Sequence, residues 1–266
     1  MNNKEAKDLW LPHFPWPAPG GNKYTRGHVV VIGGPLETAG ASKLAGISAL
    51  RTAAGLVTLL APDKEAMQCY VASCNISALM FNTYEKMPDF LADNRVSCVI
   101  VGPGFGKGEK QAKMLDHITT SGKPLLMDAD ALDKPRPNKH AVLTPHEGEF
   151  ARLFPDISGT REEKARKAAE LTGSVVLLKG NQTVIAAQGG RITVNDPATP
   201  WLATAGSGDT LSGIIGGLLA AKMPAYEAAC AGVWIHSRAG ELAGEGLIAD
   251  DLVAVIPQVL RELALC

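Results

Sequence analysis

The stretch His28–Ile32 (HVVVI), then GGPLETAGASKLAGISALRTAAG, then Leu56–Ala61 (LVTLLA) decides the fold of this 266-residue chain. Neither apolar run alternates with polar residues, which is typical of strands buried on both faces of a parallel sheet. The segment 41–53 between the two runs has the length and spacing of a helix. A strand, a helix and a second strand form a βαβ unit, so this stretch predicts an α/β fold.

Apolar runs continue to alternate with helical patterns as far as about residue 180. This order predicts a mostly parallel central sheet with helices on its faces. Beyond residue 180, two short apolar runs on either side of Gly189 and Gly190 predict a small hairpin at the edge of the sheet. The remaining third is predicted to be helical. The ranges are 98–101, 124–127, Ala141–Leu143 and Val175–Leu178 for strands, 183–187 and 191–194 for the hairpin, and 108–120, 160–172, 208–221, 225–243 and 249–264 for helices.

Residues 1–26 contain prolines at positions 12, 15, 17 and 19. Each proline removes a backbone donor and disfavours helix at the residue before it, so this segment is predicted to be an extended, proline-rich arm. Its charges and prolines also leave no apolar helix of the kind that a signal peptide contains. No change of composition, repeat or long linker divides the rest, and residues 27–266 are predicted to form a single domain.

The charge balance excludes two classes of partner. The 26 Lys and Arg residues against 27 Asp and Glu residues give a formal charge of −1, whereas nucleic acids and anionic membranes are bound by clustered positive charge. The longest apolar stretch, 202–221, contains Asp209 and five glycines, so it is a poor membrane span. The five cysteines include no C-x-x-C pair, which favours free thiols in a reducing cytosol over a zinc site. We therefore expect a cytoplasmic protein with a small-molecule ligand.

The strongest local motif is TAGSGD at 204–209, followed by an apolar helical pattern. Gly206 and Gly208 allow successive backbone N–H groups to point into one hollow, and the positive end of the following helix adds to the attraction for phosphate. Two interpretations of Asp209 remain open. It is a helix cap, or it accepts a proton from a substrate hydroxyl as a phosphoryl group arrives. We expect the helix dipole to keep this carboxylate ionised.

A second candidate is LKGNQT at 178–183, at the end of a predicted strand. Open α/β sheets bind ligands at the ends of their strands, and Lys179 there can meet a phosphate as a point charge. A solvated loop lysine is the alternative. The phosphate-type loop at 204–209 favours the binding role.

Glycine clusters follow two other predicted strands. The sequence VGPGFGKG at 101–108 lacks the G-x-G-x-x-G spacing of a dinucleotide fingerprint, so it either lets the backbone approach a ligand or forms a plain turn. The pair Gly33 and Gly34 precedes a helix of small residues, Ala41 among them. This helix leaves room for a bulky ligand or for a closely packed neighbour.

Polar residues follow two more predicted strands. His146 in LTPHEGE (143–149) is placed for substrate contact, although a lone histidine is usually structural or solvated. In MDAD, Asp128 and Asp130 could orient a magnesium ion through water, since hard cations prefer oxygen ligands. Carboxylates that form turn hydrogen bonds are the alternative for this pair.

Seven motifs together resemble one family, the ADP- or ATP-dependent NAD(P)H-hydrate dehydratases of the ribokinase-like superfamily. The similarity covers about residues 25–265 and implies a single ribokinase-like catalytic domain. The motifs, in order, are GG (33–34), AGASKLA (39–45), GPGFG (102–106), DADAL (128–132), LTPHEGE (143–149), LKGNQT (178–183) and ATAGSGDTLSGII (203–215).

The resemblance implies roles for individual residues. Ala41, Gly104 and His146 would contact the hydrated dinucleotide, and Asp209 would lie beside its hydroxyl. The nucleotide, ADP or ATP with Mg²⁺, would be held by the loop at 178–183 and by the glycines before Asp209. The nucleotide-binding residues so implied are Lys179, Gly180, Asn181, Gln182, Thr183, Gly206 and Gly208.

The implied reaction repairs the S epimer of hydrated NADH or NADPH. Phosphorylation turns its hydroxyl into a leaving group, and loss of phosphate and a proton restores the reduced ring. A separate epimerase in the same pathway is also implied. Two positions depart from the family pattern: Trp201 stands where glycine is usual, either to stack on a base or to pack inward, and Asp133 replaces an asparagine.

Other functions are compatible with parts of the pattern. A ribokinase-like kinase of a vitamin precursor or sugar would use the same phosphate hollow and release a stable phosphorylated product. A non-catalytic nucleotide-binding regulator would tolerate the loss of Asp209. The preference between ADP and ATP stays open, and the apolar C-terminal helices make a homo-oligomer possible.

Overall fold

A computed structural model describes residues 3–4, 7–196 and 198–265, and one sheet runs through this part of the chain. Its order is β1-β10-β9-β8-β7-β6-β5-β2-β3-β4. All neighbours from β8 to β4 are parallel, and β9 is antiparallel to both β8 and β10. The strands are β1 (Asn3–Lys4), β2 (His28–Ile32), β3 (Leu56–Ala61), β4 (Leu79–Thr83), β5 (Val96–Val101), β6 (Leu125–Met127), β7 (Ala141–Leu143), β8 (Val175–Leu178), β9 (Val184–Ala187) and β10 (Arg191–Val194).

Helices cover both faces of this sheet, which confirms the predicted ribokinase-like α/β class with its hairpin near one edge. Helices α1, α2, α7, α8 and α9 share one buried cluster with the sheet, and α3 to α6 share the other. The helices are α1 (Ala39–Thr52), α2 (Lys64–Ala72), α3 (Met87–Ala92), α4 (Glu109–Thr119), α5 (Glu147–Leu153), α6 (Arg161–Thr172), α7 (Ser207–Ala220), α8 (Ala225–Ala243) and α9 (Ala249–Leu263).

The composition of β2 follows from its central position. Val29 and Val31 belong to one buried cluster, whereas Val30 and Ile32 belong to the other. Because both faces are covered, the four positions after His28 are all apolar, as the sequence pattern predicted. His28 itself is buried, with its Nε2 2.8 Å from Thr58 Oγ1.

Helix α7 packs closely on α1 and on the sheet, and this positions its first turn. A Cβ atom at Gly213 would overlap the carbonyl oxygen of Ala45, and one at Gly217 would lie 2.8 Å from that of Ala49. Such close approach is open to glycine and closed to larger residues. The start of α7 is thereby fixed beside α1 at the carboxyl edge of the sheet.

The N-terminal segment corrects one prediction. The extended arm expected for residues 1–26 is instead folded over Lys7–Leu9 and Leu11–His13, where two 3-10 turns form. Between them Trp10 is fully buried, with its ring centroid 5.7 Å from that of Trp234 in α8. Burial of so large an apolar ring outweighs the extended preference of the prolines. Residues 1, 2, 5 and 6 lie outside the described part.

The region of α2, β4 and α3 was not predicted. β4 is an edge strand in which Leu79 and Thr83 are buried, whereas the three residues between them are partly or largely exposed, with Met80 at 47%. An edge strand lacks the continuous apolar run by which the central strands were recognised. Within the described residues, Cys69, Cys74, Cys98 and Cys230 form no disulfide, and no helix is both long and apolar enough to cross a membrane. Cys266 lies outside those residues.

Candidate active site

The candidate site lies at the carboxyl edge of the sheet. The loops after β2, β5, β6, β7 and β8 all emerge there because these strands are parallel. The strand order also reverses between β2 and β5, since the chain passes from β2 to β3 on one side and from β5 to β6 on the other. Open α/β sheets bind their ligands at such reversals.

The first turn of α7 forms the predicted hollow. Gly206 precedes the helix with φ +85°, and the N–H of Thr210 donates to its carbonyl at 3.0 Å. The N–H of Ser207 donates to Thr204. The N–H groups of Gly208 and Asp209 have no acceptor among the described residues. Two free donors at the positive end of a helix are suited to an anion.

Asp209 lies at this hollow, partly buried, with no side-chain hydrogen bond to any described residue. Burial, and then the negative charge of Asp128, raise its pKa to about 7, against the opposite effect of Lys179. The helix dipole was expected to keep this carboxylate ionised, but burial and the charge of Asp128 leave it only partly ionised near pH 7. A carboxylate that titrates near pH 7 is suited to exchange a proton with a ligand.

Asp128, at the end of β6, is 2% exposed and fully engaged. Its Oδ1 accepts from Lys179 Nζ at 2.7 Å and from the N–H of Ala129 at 2.9 Å, and its Oδ2 accepts from Ser212 Oγ at 2.8 Å. Burial by itself lowers the pKa of Lys179, but the charge and hydrogen bond of Asp128, with Glu149 and Asp209, raise it overall. Lys179 is therefore a cation.

Asp130 faces a different part of the molecule. Its Oδ2 accepts from the N–H of Gly106 at 3.0 Å, and its Oδ1 lies 3.6 Å from Lys107 Nζ. Asp128 and Asp130 therefore have separate hydrogen-bond partners. No group of three or more His, Cys, Asp or Glu side chains in the described part is placed to hold a metal ion. A magnesium ion that arrives with the nucleotide near Asp128 and Asp130 stays a prediction.

A cavity of about 900 Å³ opens beside the start of α7. Five of the seven predicted nucleotide-binding residues line it, whereas Gln182 and Gly206 do not. The lining residues are His146, Lys179, Gly180, Asn181, Thr183, Ala198, Thr199, Pro200, Leu202, Ala203, Thr204, Ser207, Gly208, Leu211, Val233, His236 and Ser237.

His236 on α8 lines this cavity and was not predicted. Its Nε2 lies 3.0 Å from both the Oγ and the carbonyl oxygen of Ser207. Burial lowers the pKa of His236 to about 4, so the ring is neutral at physiological pH. The ring therefore holds the start of α7 by hydrogen bonding. A single histidine within an apolar helical pattern was the available signal.

His146 begins α5 as its N-cap. Its Nδ1 accepts from the N–H groups of Gly148 and Glu149 at 3.0 and 3.2 Å, and its own N–H donates to Glu149 Oε2. The imidazole is 56% exposed and contributes to the cavity wall. His146 thus has the structural role that was one alternative, in a position that still permits ligand contact.

The loops after β2 and β5 carry the remaining predicted residues. A Cβ at Gly34 would overlap the carbonyl oxygen of Gly104, and Thr38 Oγ1 donates to that same oxygen at 2.7 Å. Gly104 is partly buried here, as is Ala41 in the first turn of α1. Neither lines the 900 Å³ cavity. The structure therefore groups the predicted residues in two neighbouring places.

Two tyrosines that the sequence analysis missed hold the loop after β2. The Tyr70 hydroxyl donates to the carbonyl oxygen of Gly34 at 2.7 Å, and the Tyr84 hydroxyl donates to that of Gly33. Tyr70 lies on α2 and Tyr84 follows β4, the region that was not predicted. No sequence signal linked them to this loop.

The two departures from the family pattern have different surroundings. Trp201 is 47% exposed in a 3-10 turn and is not part of the cavity wall, so it does not pack inward. Asp133 is paired with the buried Arg136, which also contacts Asp116. Asp133 therefore has a structural ion pair.

Comparisons with known proteins agree with this geometry. The chain matches the family model described as NAD(P)H-hydrate dehydratase over residues 29–258. The ADP-dependent (S)-NAD(P)H-hydrate dehydratase of Neisseria meningitidis is 34% identical over 282 residues, covering 96% of this chain and 91% of that protein. The bifunctional NAD(P)H-hydrate repair enzyme of Escherichia coli is 34% identical over 258 residues, covering 91% of this chain and 49% of that protein. The chain thus spans about half the length of that bifunctional relative.

Solved structures point the same way. The ADP/ATP-dependent NAD(P)H-hydrate dehydratase from Bacillus subtilis, co-crystallised with ATP and Mg²⁺, is similar with a TM-score of 0.85 at 27% identity, covering 97% of each chain. A ribokinase-like superfamily protein from Enterococcus faecalis has a TM-score of 0.85 at 24% identity, which shows the fold alone. With the fold, the hollow at α7 and the match over residues 29–258 in agreement, the chain belongs to the NAD(P)H-hydrate dehydratase family.

Proposed function

We propose that this protein dehydrates the S form of hydrated NADH or NADPH, with ADP or ATP as the phosphoryl donor. The observation that carries the proposal is Asp209: a carboxylate without a side-chain hydrogen bond to any described residue, beside two free N–H groups and Lys179. Phosphoryl transfer to a hydroxyl needs this arrangement: the carboxylate accepts the hydroxyl proton, and the N–H groups and the lysine bind the phosphate.

In this proposal the nucleotide occupies the cavity. Its base and ribose lie against the loop at 178–183 and the walls from α7 and α8, and its terminal phosphate lies at the N–H groups of Gly208 and Asp209. Mg²⁺ arrives with the nucleotide and neutralises its phosphate oxygens. Lys179 adds a fixed positive charge next to them.

The hydrate then lies on the side of Ala41 and Gly104. Its hydroxyl oxygen attacks the terminal phosphorus, the bond from that phosphorus to the bridging oxygen breaks, and Asp209 accepts the hydroxyl proton. The products of this step are AMP from ADP, or ADP from ATP, and a phosphate ester. The ring nitrogen lone pair next expels phosphate, and loss of a proton from the neighbouring carbon restores NADH or NADPH. No electrons are gained or lost overall.

The pKa of Asp209 sets the pH dependence that we expect. Only the ionised carboxylate accepts a proton, and burial with Asp128 raises the pKa of Asp209 to about 7 in the free protein. Turnover should therefore rise as the pH increases through about 7 and reach a plateau once the carboxylate is fully ionised.

The direct test is to incubate the purified protein with hydrated NADH, Mg²⁺ and either ADP or ATP. We expect free phosphate and a recovery of the near-ultraviolet absorbance of the reduced nicotinamide. A stable phosphorylated product without that recovery would indicate a kinase instead. Nucleotide binding without any turnover would indicate a regulator. Comparison of the rates with ADP and with ATP, measured side by side, identifies the preferred donor.

The surroundings of the reaction are part of the proposal. An epimerase that converts the R form of the hydrate into the S form is proposed to be a separate protein. A cytoplasmic location is proposed because the substrate derives from soluble reduced dinucleotides and the four described cysteines form no disulfide. A homo-oligomer remains a prediction from the apolar C-terminal helices.

A further inference from the structure

Asp128 connects three elements of the site through one buried carboxylate. It follows β6, its Oδ1 accepts from Lys179 after β8, and its Oδ2 accepts from Ser212 in the second turn of α7. Lys179 is only 22% exposed, so its ammonium is stabilised by a paired carboxylate, and Asp128 supplies it at 2.7 Å.

The pair lies directly beneath the first turn of α7. A Cβ atom at Gly208 would be 3.6 Å from Lys179 Nζ and 3.8 Å from Asp128 Oδ2. Lys179 also lines the cavity, and its ammonium has three donors, of which Asp128 takes one at 2.7 Å. Glu149 Oε2 is 3.9 Å away, too far for a hydrogen bond.

We infer that Asp128 is a positioning residue, which fixes the Lys179 ammonium at the start of α7, between the nucleotide cavity and Asp209. A phosphoryl group that moves from the cavity towards Asp209 passes this ammonium. This role does not require Asp128 to be a magnesium ligand, since its oxygens hold Lys179, Ser212 and the N–H of Ala129. The kinetic part of this inference rests on the proposed function, and the pairing itself does not.

The pairing is tested without any substrate. In Asp128→Asn the burial of Lys179, which lowers its pKa, is opposed only by Glu149 and Asp209. The amine should become more nucleophilic, and its labelling by an amine-reactive acylating probe at pH 8 should be about tenfold faster by mass spectrometry. Lys164, half-buried and paired with Glu147, serves as the internal reference for intact folding. An unchanged Lys179 rate with an unchanged Lys164 rate overturns the inference.

Kinetics test the positioning role. For Asp128→Asn we expect kcat to fall about 10- to 100-fold, with the KM of the hydrate within about twofold. The groups that act on Asp209 are Asp128 and Lys179. Asp128, Glu149 and Asp209 act on Lys179, which in turn lowers the pKa of His236. Removal of the Asp128 charge should therefore move the acidic limb of the pH profile about one unit lower. A loss of folding alone would not shift this limb.

Two comparisons make the outcome decisive. In a Lys179→Met background, Asp128→Asn should have little further effect on kcat, whereas additive effects would overturn the inference. The Mg²⁺ concentration for half-maximal rate should stay within twofold, and a tenfold rise would make Asp128 a metal ligand instead. Glu227→Gln is the matched control, since it breaks the buried contact with Arg191 at 2.5 Å in α8, away from the site. It should leave kcat and the pH profile unchanged.

If the labelling result holds while the wild-type protein turns over no hydrate, the proposed function fails and the pairing stands. If turnover is present and Lys179 labelling is unaffected by Asp128→Asn, the pairing fails and the function stands. The two claims are therefore separated by one set of variants.

Discussion

The candidate site has two halves, which we assign to the nucleotide and to the hydrate, and they are built in different ways. The nucleotide half is an open cavity of about 900 Å³ with side chains, among them Lys179 and His236, directed at it. The hydrate half is a junction of two loops in which Gly34 approaches Gly104 so closely that no side chain fits between them. In our proposal, Asp209 acts at the boundary of the two halves.

This difference indicates which kind of change each half tolerates. A cavity wall of side chains can be altered one residue at a time, with the largest effects on affinity. A junction of backbones has no side chain to remove, so changes there act on the fold itself. The boundary residue should affect turnover and leave both binding and folding largely intact.

Asp209→Asn should have the largest effect, because the boundary residue is the proposed proton acceptor. We expect kcat to fall by about 10³-fold while the nucleotide Kd stays within about threefold. Steady-state kinetics and calorimetric titration with ADP measure the two quantities. Near-normal turnover would remove Asp209 as the proton acceptor.

The same variant tests the pKa of Asp209 through stability. Since burial and Asp128 raise this pKa from 3.8 to about 7, the folded protein retains a proton between these pH values that the unfolded chain has released. The wild type should therefore lose stability as the pH rises from about 4 to about 7, with no further loss above. Asp209→Asn should be more stable than the wild type by about 2–4 kcal/mol at pH 8 and equal to it near pH 4. Urea unfolding curves with a constant difference at all pH values would contradict the raised pKa.

Gly34→Ala probes the junction of backbones in the hydrate half. The added Cβ would overlap the carbonyl oxygen of Gly104 and lie 2.6 Å from Thr38 Oγ1, so one loop must move. We expect a loss of about 3 kcal/mol in the free energy of unfolding, measured in urea. Gly40→Ala is the control, because nothing lies within 4 Å of its added Cβ and it is inside α1. Equal stabilities of the two variants would show that the junction is not tight.

Gly208→Ala probes the nucleotide half with a smaller change. Its added Cβ would be in ordinary contact with Lys179 and Asp128, so the fold should be retained. The methyl group would occupy space that we assign to the terminal phosphate, and kcat/KM for the nucleotide should fall about 10- to 100-fold. Gly206→Ala is the contrast: it places a side chain at φ +85° and 2.5 Å from Leu44, and should lose stability. A fully active Gly208→Ala would place the phosphate elsewhere.

The parts of this molecule that the sequence could predict are those with a short-range signature. The central strands β2, β3 and β5 to β8 are continuous apolar runs because both faces are buried, and the TAGSGD loop carries the glycines that its turn requires. Burial on two faces requires apolar residues, and a positive φ favours glycine, so both conditions are visible in the residue types. Both were therefore found without coordinates.

The rest depends on contacts between distant residues. Asp128 and Lys179 are 51 positions apart and meet because β7 alone separates β6 from β8. The raised pKa of Asp209 follows from that neighbourhood and from burial, neither of which is visible in the first turn of a helix. Trp10 is likewise buried by α8, more than 200 residues later, so the N-terminal prolines gave the wrong expectation.

Trp201→Ala should have the smallest effect of all. This ring stands at the nucleotide half but is 47% exposed and absent from the cavity wall. We expect the nucleotide KM to stay within about twofold and the free energy of unfolding within about 0.5 kcal/mol. If Trp201 stacks on the base, its loss should weaken binding about tenfold or more, since such contacts contribute about 1–3 kcal/mol.

Trp10→Ala is the matched control: this ring is fully buried, and its removal should cost about 3–5 kcal/mol in urea unfolding. A raised nucleotide KM in Trp201→Ala, with unchanged stability, would show that the nucleotide site includes Trp201 as a side chain that closes over the base.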